Sequence, residues 1–158
     1  MHVAYLDSFP HGLRPYISLV KDVIADGNCG FRAIADLLGM CDDGWIQVRK
    51  DLLKELYYHL DHYSQLFGYA ERIEELTHAL SFFEDCPPMD RWMTMPDMGH
   101  LIASCYNVVL IHLSMQQCLT FLPLRSSPIS PLSRKHIAIG FVNNNHFLEV
   151  CILTTLIC

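Results

Sequence analysis

The sequence predicts an α+β domain, with helices packed on a mostly antiparallel β-sheet. Three observations predict it. Apolar residues recur at steps of three and four up to about residue 106. After that the pattern changes to short runs of β-branched and aromatic residues. No repeat, linker or low-complexity tract divides the 158 residues, which are 51% hydrophobic and so supply one compact unit with a sizeable core.

The elements follow in order. Residues 1–18 carry Pro10, Gly12 and Pro15 and read as an extended arm. The main domain is expected over 19–153, followed by a short apolar tail, 154–158. Cys29, Ala33 and Leu37, with Ile34 and Leu38, share a helical face over 29–38, and Gly39 closes that helix. A second helix runs from about Trp45 to Tyr63 on the stripe Trp45, Val48, Leu52, Leu56, Leu60, Tyr63. Gly68 separates it from a third, which carries Tyr69, Ile73, Leu76, Leu80 and Phe83 on one face and is stopped by Cys86-Pro87-Pro88. A fourth opens near Pro96, a residue suited to a first turn, and carries Met98, Leu101, Ile102 and Cys105. Strands are expected over 108–113, 119–122, 137–142 and 147–153. Residues 125–135 form a polar, proline-bearing loop. Asn143-Asn144-Asn145 tolerates positive φ, so the last two strands should form a hairpin.

Composition narrows the function. A formal net charge of −6 and the lack of a basic cluster argue against a nucleic-acid partner. No apolar run approaches the ~18 residues that a membrane span needs. Seven cysteines, at 29, 41, 86, 105, 118, 151 and 158, form no CxxC pair, and the N-terminus lacks a basic, apolar leader. Free thiols in a reducing, intracellular compartment, cytoplasmic or nuclear, are therefore expected. His59 and His62 share a helix face near Asp61, but no third or fourth ligand is evident. That makes a solvated face, with no metal and no cofactor, the expectation. A monomer is expected.

One stretch carries chemistry. Ala25-Asp26-Gly27-Asn28-Cys29-Gly30-Phe31 places a cysteine behind a tight turn, at the start of a helix. A thiolate is the nucleophilic form, and the unpaired N–H groups of a helix start favour it, so a lowered thiol pKa is expected at Cys29. Gly27 and Gly30 let a substrate approach closely, and N–H groups of Asp26, Gly27 and Asn28 are placed to hold an oxyanion. Asp26 braces the turn as an Asx acceptor. A buried core cysteine is the competing reading. His146 stands after the polar turn and before an apolar strand, the best context among nine histidines for a base, with His136 next. The group that would orient its imidazole is open between Asn143, Asn144 or Asn145 and Glu149. Position 148, on the face of His146, is Leu148 and cannot serve.

Asp26-Gly27-Asn28-Cys29-Gly30-Phe31-Arg32-Ala33 resembles the nucleophile motif of the ovarian-tumour (OTU) family of cysteine proteases. The resemblance continues through Trp45, Val48 and Arg49, Trp92, the strand 107–110 and Asn145-His146-Phe147, and covers roughly residues 9–150. Phe9-Pro10 and Pro15-Tyr16-Ile17 add a likeness to plant OTU-like domains found with Mutator-type transposases. The resemblance implies a papain-like α+β fold and a deubiquitinase that hydrolyses isopeptide or peptide bonds at the C-terminus of ubiquitin or a related modifier. It implies Cys29 as nucleophile, His146 as general base and Asp26 as the motif aspartate that shapes the oxyanion loop. Asn145 or Asn144 is then the candidate third member of a triad, because Leu148 fills the place where many members carry Asp or Asn. The alternative is a catalytically weak or inactive, transposon-derived module that binds ubiquitin or another protein.

Overall fold

A computed structural model of the chain describes residues 3–126 and 134–153. Most of the expected 125–135 loop and the 154–158 tail lie outside the described residues. The elements are β1 (Ile17–Lys21), α1 (Cys29–Leu37), α2 (Gly44–Tyr58), α3 (Leu60–Phe67), α4 (Ala70–Leu80), α5 (Asp97–Tyr106), β2 (Val109–Ser114), β3 (Leu119–Phe121), β4 (His136–Val142) and β5 (His146–Ile152). Short 3-10 turns cover Leu6–Ser8, His11–Tyr16 and Met89–Arg91.

The strands form one sheet in the order β1-β5-β4-β2-β3. Three neighbouring pairs are antiparallel, among them the expected β4–β5 hairpin, where Val142 faces His146 across a turn with Asn143 and Asn144 at positive φ. The β2–β4 pair is parallel, because the chain leaves the edge strand β3 and re-enters the sheet on the other side of β2. Alternation along the strands divides two cores. Leu110, Ile137, Ile139 and Phe147 pack with helix residues such as Phe31, Ile34, Leu52, Leu56 and Leu101. Leu113, Ala138, Val142, Leu148 and Val150 pack with Phe9, Ile17 and Val20 on the opposite face.

Three local expectations differ from the structure; the helix expected to carry Tyr69 and Phe83 on its apolar face ends at Leu80, well before the prolines, and leaves both rings exposed. The arm is not extended: it folds into 3-10 turns, and its last residues, Ile17 and Ser18, already belong to β1. The register of β1 shifts between Ile17 and Leu19, which spoils the alternation that would have announced a strand. Phe9 is fully buried and seals the second core over Gly140, where an added Cβ would lie 2.7 Å from the Phe9 ring. The helix read from Trp45 to Tyr63 is two helices meeting at His59, whose φ of −119° leaves the helical range. Tyr63 stays fully buried and donates a 2.8 Å hydrogen bond to Glu55, while Leu60, expected on the buried stripe, is exposed.

A polar contact ties α1 to the sheet. Lys21 of β1 faces Glu149 of β5, and both meet Asp36 of α1. Lys21 pairs with Asp36 and lies 3.8 Å from Glu149 Oε2. Burial, then the hydrogen bond with Asp36 and its charge, push Glu149 up to about 7, with Lys21 pulling the other way. Asp36 is held low by its hydrogen bonds from Glu149 and Lys21. Glu149 therefore keeps its proton in mildly acidic solution, where it is shared with Asp36, and gives it up around neutral pH.

Phe9→Ala should cost about 3–5 kcal/mol, because a large ring leaves a packed site, and should lower the urea midpoint accordingly. A loss under ~1 kcal/mol would mean that the arm is not part of the second core. Glu149 gives a signed pH effect. An acid whose folded pKa lies above its unfolded value has its full stabilising contribution below the unfolded value, and loses it as pH rises through the folded one. His100 and His112, kept neutral by burial, act in the opposite sense, so the comparison must be made between variants. The stability of Glu149→Gln relative to the parent should rise between pH 4.5 and pH 8; a constant difference would rule out this titration.

Candidate active site

The turn before α1 is held by Asp26. Its Oδ1 accepts the Asn28 N–H at 2.9 Å, closing an Asx turn, and its carboxylate takes Arg32 through Nε at 3.2 Å and Nη2 at 2.8 Å. The Asp26 carbonyl accepts the Cys29 N–H at 3.1 Å. Arg32 in turn lies over the ring of Trp45, which is core. Of the three N–H groups expected to hold an oxyanion, Asp26's goes to Ile24 O and Asn28's to the Asx turn. Among the described residues only Gly27's has no acceptor. Gly27 is also where the turn meets the 84–93 segment: a Cβ there would lie 2.3 Å from Trp92 Nε1 and 2.7 Å from Pro87 O. Trp92 Nε1 donates to that same carbonyl at 3.0 Å.

Cys29 opens α1 and is 5% exposed. Its Sγ accepts the backbone N–H of Phe147 at 3.3 Å, so the thiol sits against the residue that follows His146. The expected lowered thiol pKa is corrected by the structure. Burial pushes the thiol up; N–H groups of Phe147, Gly30 and Cys29 itself pull it down, and the negative charge of Asp26 opposes them. Desolvation wins because little water reaches the sulfur.

His146 is the first residue of β5 and is buried. Its Nε2 lies 2.6 Å from Asp22 Oδ1. An ionised carboxylate only accepts, so Nε2 carries a proton in this contact, which in the neutral imidazole leaves Nδ1 as the acceptor. Asp22 also accepts Tyr5 OH at 3.0 Å and the Val23 N–H at 2.9 Å. Burial pushes Asp22 up, but the hydrogen bonds from His146, Tyr5 and Val23 outweigh it and hold the carboxylate below its usual range. Its side chain is 53% exposed and borders a groove of about 540 Å³ lined also by Ile24, Arg32, Asp36, Cys41 and Glu149.

The other candidates fall elsewhere. Asn143, Asn144 and Asn145 stay in the exposed turn, where Asn144 accepts from Gln116 at 2.9 Å. Glu149 is committed to Asp36, and Leu148 to the core on the other side of the sheet. His136 begins β4, six residues and so roughly 20 Å along the strand from the end that faces His146. His59 and His62 stack with ring centres 6.1 Å apart, and no group of three or more metal-ligating side chains occurs among the described residues. Among them, no helix is long and apolar enough to cross a membrane. Asp22 is the site residue that reading the sequence missed. Its one local sign is a carboxylate just ahead of the nucleophile turn. Its partner lies 124 residues away, and only the β1–β5 pairing brings the two together.

No protein-family model matches the sequence, and neither does the sequence of any curated protein. Solved structures do match. The OTU domain of OTUD1 superposes with a TM-score of 0.59 at 19% identity, over 84% of this chain and 85% of that one. The viral OTU domain protease from Farallon virus gives 0.60 at 20% identity, over 90% and 88%. The Hazara virus OTU bound to ubiquitin gives 0.62 at 14% identity, over 89% and 84%. These structures share the α+β architecture described above, and the chain has the fold of OTU domains.

Proposed function

We propose that this chain is a cysteine-type hydrolase that cuts isopeptide or peptide bonds at the C-terminus of ubiquitin or a related modifier. One observation carries the reading: the start of α1 and the start of β5 meet at the Cys29 sulfur, with His146 fixed by Asp22. The ubiquitin bound to the Hazara virus OTU supports the choice of substrate.

In this mechanism His146 Nδ1 takes the Cys29 proton as the thiolate attacks the carbonyl carbon. The Gly27 N–H holds the oxyanion. The carbon–nitrogen bond breaks as His146 returns the proton to the leaving amine, which yields a thioester. Water, deprotonated by His146, then releases the carboxylate and restores the thiol. Asp22 keeps the imidazole in the productive tautomer and stabilises its charged form.

One observation favours a second reading, a module that binds without cutting: the sulfur is covered, and its burial holds it as a thiol. Under the first reading, substrate binding uncovers it. The free cysteines among the described residues support a reducing compartment, and the resemblance of Phe9-Pro10 and residues 15–17 supports a transposon-derived branch of the fold.

Purified protein should form a covalent adduct with ubiquitin carrying a thiol-reactive C-terminal warhead, and Cys29→Ala should not. Retained binding with no adduct would favour the module. His146→Ala should slow turnover roughly 10²–10⁴-fold, the usual worth of a general base. Asp22→Asn should slow it by as much as about 10⁴-fold with little change in thermal midpoint, since it leaves the base in place but in the wrong tautomer. Unchanged kinetics in that variant would remove Asp22 from the mechanism.

A further inference from the structure

Arg49 is an arginine of α2 with no exposed surface. Its guanidinium contacts are all with neutral groups. Nε and Nη2 converge on Asn28 Oδ1 at 3.1 and 2.8 Å. Nη1 donates to Ala79 O at 2.7 Å, and Nη2 also donates to Arg91 O at 3.0 Å. The flat face lies 3.9 Å from the centre of the Phe31 ring. Such a cation is costly to bury without a carboxylate, and its geometry must be specific to be kept.

The three acceptors belong to three separate pieces of chain: the nucleophile turn, the end of α4 and the end of the 3-10 turn at Met89–Arg91. Asn28, itself fully buried, extends the junction by donating Nδ2 to Glu84 O at 3.3 Å. The same two surfaces touch through Gly27 against Trp92 and Pro87, and through Gly30, where a Cβ would lie 2.8 Å from Met93 Sδ. Segment 84–93 is therefore the wall behind the turn, and Arg49 fastens the two together.

Resting on the hydrolase reading above, we propose that Arg49 is a positioning residue. Through Asn28 it fixes the nucleophile turn against segment 84–93, and so sets where the Gly27 N–H and the Cys29 sulfur stand relative to a bound carbonyl. A lysine keeps the charge but not the planar fork, and cannot reach all three acceptors in one plane. The loss should fall on the chemical step, because a displaced oxyanion donor weakens the transition state more than the ground state.

The test compares the parent with Arg49→Lys, Asn28→Ala and the double variant, using amide hydrogen exchange and hydrolysis of ubiquitin bearing a C-terminal fluorophore. Asn28→Ala keeps the arginine, so it remains informative if Arg49→Lys does not fold. In each single variant, exchange should speed up in 26–30 and 84–93 together, kcat should fall at least tenfold, and KM should move less than threefold. The double variant should be little worse than either single one, because both break one junction. Faster exchange confined to 84–93, an unchanged kcat, or multiplying losses would overturn the proposal. A parent that does not hydrolyse the substrate would defeat the hydrolase reading instead, and the exchange patterns would still decide whether the clamp exists.

Discussion

The hydrogen bond from the Phe147 N–H to the Cys29 sulfur joins two points 118 residues apart, and the site depends on it. It forms only if α1 lies across the sheet with its first turn at the β4–β5 hairpin. The apolar face of α1 enforces that placement: Phe31, Ile34 and Ala35 are buried, with Ile139 and Phe147 in the same core. The side of α1 near β1 is tied down by Asp36, which takes Lys21 and Glu149 from adjacent strands. Helix start and strand start are thus held in one place by the same packing that stabilises the domain.

Polar groups complete what packing begins. Asp26 folds the turn ahead of α1 on itself, Arg49 secures it from behind, and Asp22 holds the histidine from the side. Arg49 and Asp26 work from buried and largely covered positions, where a hydrogen bond to a charged group is stronger than in water, while Asp22 acts from the exposed rim of the groove. These networks differ in kind. Asp26 pairs with the charged Arg32 and Asp22 accepts the His146 N–H, whereas Arg49 directs its donors to amide and carbonyl oxygens. The first two tune protonation and orientation. The third fixes shape.

The same burial that builds the site also quiets it. A desolvated sulfur prefers its proton, and N–H groups from Phe147 and Gly30 only partly offset that preference. Reactivity in such an arrangement arises when the imidazole accepts the proton beside a substrate, and ion pairing then replaces the lost hydration. Its cover also shields the resting Cys29 thiol from adventitious oxidation, which tracks thiolate character and exposure.

By itself the sequence determined the α+β class, the helix starting at Cys29 and the β4–β5 hairpin. Local signals suffice for these: helical spacing over 29–38, short β-branched and aromatic runs in the last strands, and asparagines suited to positive φ. Tertiary structure decided the rest. The break at His59 has no proline or glycine to announce it. β1 hides behind a register shift, and the 3-10 arm is shaped by the place where Phe9 finds its core. Asp22 became the partner of His146 only because β1 and β5 are neighbours. The direction of the Cys29 pKa shift reversed because a helix start acts locally, whereas desolvation is set by everything packed around the sulfur.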